Sequence, residues 1–82
     1  MGVNMKFSLE VLEALGAYVF VIRATNKTGE FTRFLIKDLE VVMSRIIQEK
    51  EDINNISKGL FKELIANNLL GYESENVAFL VC

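Results

Sequence analysis

Eighty-two residues, 51% of them hydrophobic and none of them Pro, hold enough apolar material for one folded core and exclude a disordered chain. The formal net charge of −2 is the wrong sign for strong non-specific attraction to phosphate, so it counts against nucleic acid. One cysteine, Cys82, and no histidine exclude an internal disulfide and leave no metal-ligand set. The expectation is a flexible leader over 1–6 and a single domain over 7–82, cytoplasmic, with no cofactor and no membrane span. The longest apolar run, Leu15–Ile22, is far shorter than a span requires. So small a core is marginal alone, which favours a homodimer that shares apolar surface.

In chain order, Ser8 is a good helix N-cap, because its hydroxyl can accept a bond from an orphan first-turn amide. Glu10 suits the positive end of the helix dipole. Leu9, Leu12, Leu15, Val19 and Ile22 recur at helical spacing, with Val11, Ala14, Tyr18 and Val21 on a second stripe. That predicts a central helix buried nearly all round. A competing reading makes Gly16 the stop of a short helix and Ala17–Thr25 (AYVFVIRAT), rich in β-branched and aromatic residues, a strand. Asn26-Lys27-Thr28-Gly29 then turns a hairpin into Glu30–Ile36. Periodicity fits both forms, so residues 17–36 stay open between helix and β-hairpin.

From Thr32, a candidate cap, Leu35, Leu39, Val42 and Ile46 predict a second helix, flanked by Ile36, Met43 and Ile47. After the polar stretch Glu49–Asp52, a third helix follows on Ile53, Ile56, Leu60 and Leu64. Gly59 interrupts it at a cost of about 1 kcal/mol relative to Ala. Asn67, Asn68 and Gly71 mark its exit; Glu73–Asn76 reads as a turn and Val77–Cys82 as a buried strand. The expected fold is α+β and mostly α, with three helices and a short β-wing.

No catalytic residue is expected. There is no histidine for general-base work and no Gly-rich phosphate loop, and the pairs Glu10/Glu13 and Glu49/Glu51 read as solvated helix surface. The segment Ile53–Tyr72 (INNISKGLFKELIANNLLGY) is more informative. Asn54, Asn55 and Ser57 come first, then Lys58 and Lys62 on one face, with an apolar stripe behind them. Amides can pair with adenine edges and lysines can hold phosphates, although a solvated amphipathic face has the same pattern.

Residues Phe7 to Tyr72 resemble the winged helix-turn-helix domain at the front of plasmid and phage replication initiators and replisome organisers. The likeness rests on the capped opening helix of Ser8–Ile22, the Asn26–Gly29 loop, the polar start at Thr32 and the exit LIANNLL at Leu64–Leu70. It implies a dimeric regulator of transcription or replication with the helix over 53–69 in the major groove of double-stranded DNA. Asn54, Asn55 and Ser57 then face bases or phosphates, while Arg33, Lys37, Lys58 and Lys62 hold the backbone. The alternative is a small acidic protein-binding module, such as a phage-encoded inhibitor or a dimeric adaptor with no nucleic-acid role. That reading accommodates the −2 charge and the apolar excess directly.

Overall fold

The computed structural model describes residues 5–72, so the predicted turn and strand over 73–82 and most of the predicted leader lie outside the described residues. The chain runs β1 (Lys6–Ala14), β2 (Ala17–Thr25), β3 (Phe31–Ile36), α1 (Leu39–Gln48), α2 (Lys58–Ala66) and β4 (Leu70–Tyr72). The strands form one antiparallel sheet in the order β1-β2-β3-β4.

The mostly-α winged helix-turn-helix is overturned, because the domain has more strand than helix. Its predicted opening helix, Ser8–Ile22, is instead the β1–β2 ribbon, folded back at Leu15-Gly16 so that Ala14 pairs with Ala17 and Lys6 with Thr25. Both turn residues have positive φ (54° and 79°), the pattern of a type I′ turn whose twist matches its strands. The open question over 17–36 resolves to the hairpin. Asn26 builds its turn: the side-chain oxygen accepts from Thr28 N (3.0 Å), Thr28 Oγ1 (2.8 Å) and Glu30 N (3.0 Å).

The predicted second helix starts late, since Thr32 lies within β3 and Asp38 is the cap, accepting from Val41 N. The third helix also starts late. Residues 53–56 run beside β1, where Leu9 N–H donates to the Ile53 carbonyl (2.7 Å) and Ile56 N–H to the Phe7 carbonyl (2.7 Å). Ser57 then caps α2. At its far end Asn68 takes φ 61°, a left-handed position that Asn tolerates well, and Leu69 N–H closes on the Leu64 carbonyl.

The alternation of β-strands sorts the side chains onto two faces. Phe7, Ile22, Ala24 and Leu70 turn toward the helices and close the core with Val42, Ile46, Ile56, Leu60 and Leu64. Phe61 stacks on Phe7 (ring centroids 4.2 Å apart) and meets Phe34 edge-on at 5.1 Å. Arg45 joins the helices by an ion pair to Glu63. No helix among the described residues is long and apolar enough to cross a membrane.

Candidate interaction surface

The seven residues expected on DNA do not share one surface. Asn54, Asn55, Ser57 and Lys58 fall together at the start of α2, with Lys62 one turn on. There Ser57 is already occupied: its hydroxyl accepts from Leu60 N and donates to the Glu51 carboxylate at 2.7 Å. Glu51 and Asp52 offset the nearby lysine charge; Asp52 Oδ1 accepts from the Asn54 backbone N–H at 2.9 Å. Lys37 sits at the opposite end of α2, donating to Asn68 Oδ1 (2.8 Å). Arg33 projects from the sheet face turned away from the helices, where its Nε donates to Glu10 Oε1 (3.0 Å).

That face carries one compact polar cluster. Arg23 and Arg33 are directly opposed on β2 and β3, and like charges so placed repel. Glu10 bridges them, lying 3.7 Å from Arg23 and 3.0 Å from Arg33. Both guanidinium groups also lie over the Phe31 ring, at 3.9 and 4.7 Å from its centroid. Arg23 Nε is buried with no hydrogen-bond partner among the described residues. The interactions hold the two arginines together and give them a structural task.

The least explained surface is the end of the β1–β2 ribbon. β3 pairs with β2 only from Val21 to Thr25. Among the described residues, Ala17–Phe20 therefore have no strand on that side, and Val11–Phe20 project as an arm. Glu13 is the arm's one charged residue. Val11 is 50% exposed, Leu15 79% and Tyr18 66%, while Leu12, Val19 and Phe20 are half-buried. Leu15 adds strain, since a bulky L-residue at φ 54° costs roughly 1–2 kcal/mol. Asn or Gly would relieve that strain, so the sequence keeps an exposed leucine at the tip against local preference.

Sequence reasoning missed the arm because its apolar residues looked like core. The available signal was Gly16, whose place in a two-residue turn gives strands of equal length on either side. No family model, no curated protein and no solved structure matches the chain.

Proposed function

We propose that the chain is a protein-binding module that docks through the β1–β2 arm and works by association rather than by catalysis. The observation that carries this reading is a projecting ribbon end with three exposed large apolar side chains and no Lys or Arg. Protein interfaces favour aromatic anchors and deplete charge at their centre, whereas phosphate-binding arms need cations. The DNA reading draws no comparable support from two α2 lysines beside Glu51 and Asp52 and an arginine committed to Glu10.

The test compares the wild-type chain with Val11→Asp/Tyr18→Asp as immobilised bait in extract from its source cells. A partner recovered by the wild type should bind the double variant at least tenfold more weakly, equivalent to about 1.4 kcal/mol. Equal recovery by both baits would remove the arm from the interface. A parallel titration of duplex DNA provides the opposing outcome. Affinity that falls linearly on a log–log plot against salt would move the function to nucleic acid.

A further inference from the structure

We draw no further inference here: the strongest candidate, the outer edge of β1 from Glu10 to Ala14 on the projecting arm, open among the described residues, carries none because nothing in the structure shows what covers it.

Discussion

From Phe7 to Leu9, and from Ile22 to Ala24 across from them, the β1–β2 ribbon is sealed by helices on one face and by residues 53–56 at its edge. From Val11 to Phe20 the same two strands carry an equally apolar sequence and receive no such cover among the described residues. The ribbon's apolar character does not change where its environment does. Apolar patterning therefore records that a surface is meant to be covered, without saying whether the cover belongs to the same molecule.

The contrast can be broken most sharply by truncation in each region. Leu64→Ala, at a fully buried position beneath the sheet, should cost about 3 kcal/mol in urea unfolding. Tyr18→Ser on the arm should cost less than about 1 kcal/mol at dilute concentration. Comparable losses would mean that the arm is part of the core. Ser57→Ala removes the α2 cap and one of two hydrogen bonds to Glu51, and should lower stability by about 1 kcal/mol while the arm is unaffected. Leu15→Asn should move the other way. Relief of the turn strain should raise stability by about 1 kcal/mol, while loss of the apolar tip weakens binding of the partner that the wild-type bait recovers. A variant that gained stability and bound equally well would show that the strained leucine serves no interface. The smallest effect belongs to Glu10→Gln, which removes the carboxylate that bridges Arg23 and Arg33. The group is partly solvated, so a loss of about 0.5 kcal/mol is expected, shrinking as salt is added.

The helical half of the fold was largely legible in the sequence. The stripes Leu39/Val42/Ile46 and Leu60/Leu64 lie on α1 and α2, where one apolar face and one polar face make the period unambiguous. The Asn26–Gly29 turn was also legible, because Asn and Gly in that order have a mechanism. The β1–β2 ribbon was not. Its strands carry apolar residues on both faces, which erases the period of two, and Leu15 stands where a type I′ turn normally announces itself with Asn or Asp. The proposed DNA residues were chosen from residue type and spacing on two predicted helices and from the winged-helix resemblance. Only the folded chain shows that Ser57 is consumed by capping, Lys37 by Asn68 and Arg33 by Glu10.

The bridge between Phe7 and Ile56 also bears on how the chain is made. The ribbon can close around its local turn within microseconds, long before the helices exist. Its outer edge, however, is finished by residues that leave the ribosome nearly fifty positions later. At ordinary synthesis rates that interval lasts about 2–10 s, during which the whole length of β1 is open to any strand nearby. The pace of translation, more than the stability of the finished domain, thus sets how long each new chain is exposed to mispairing.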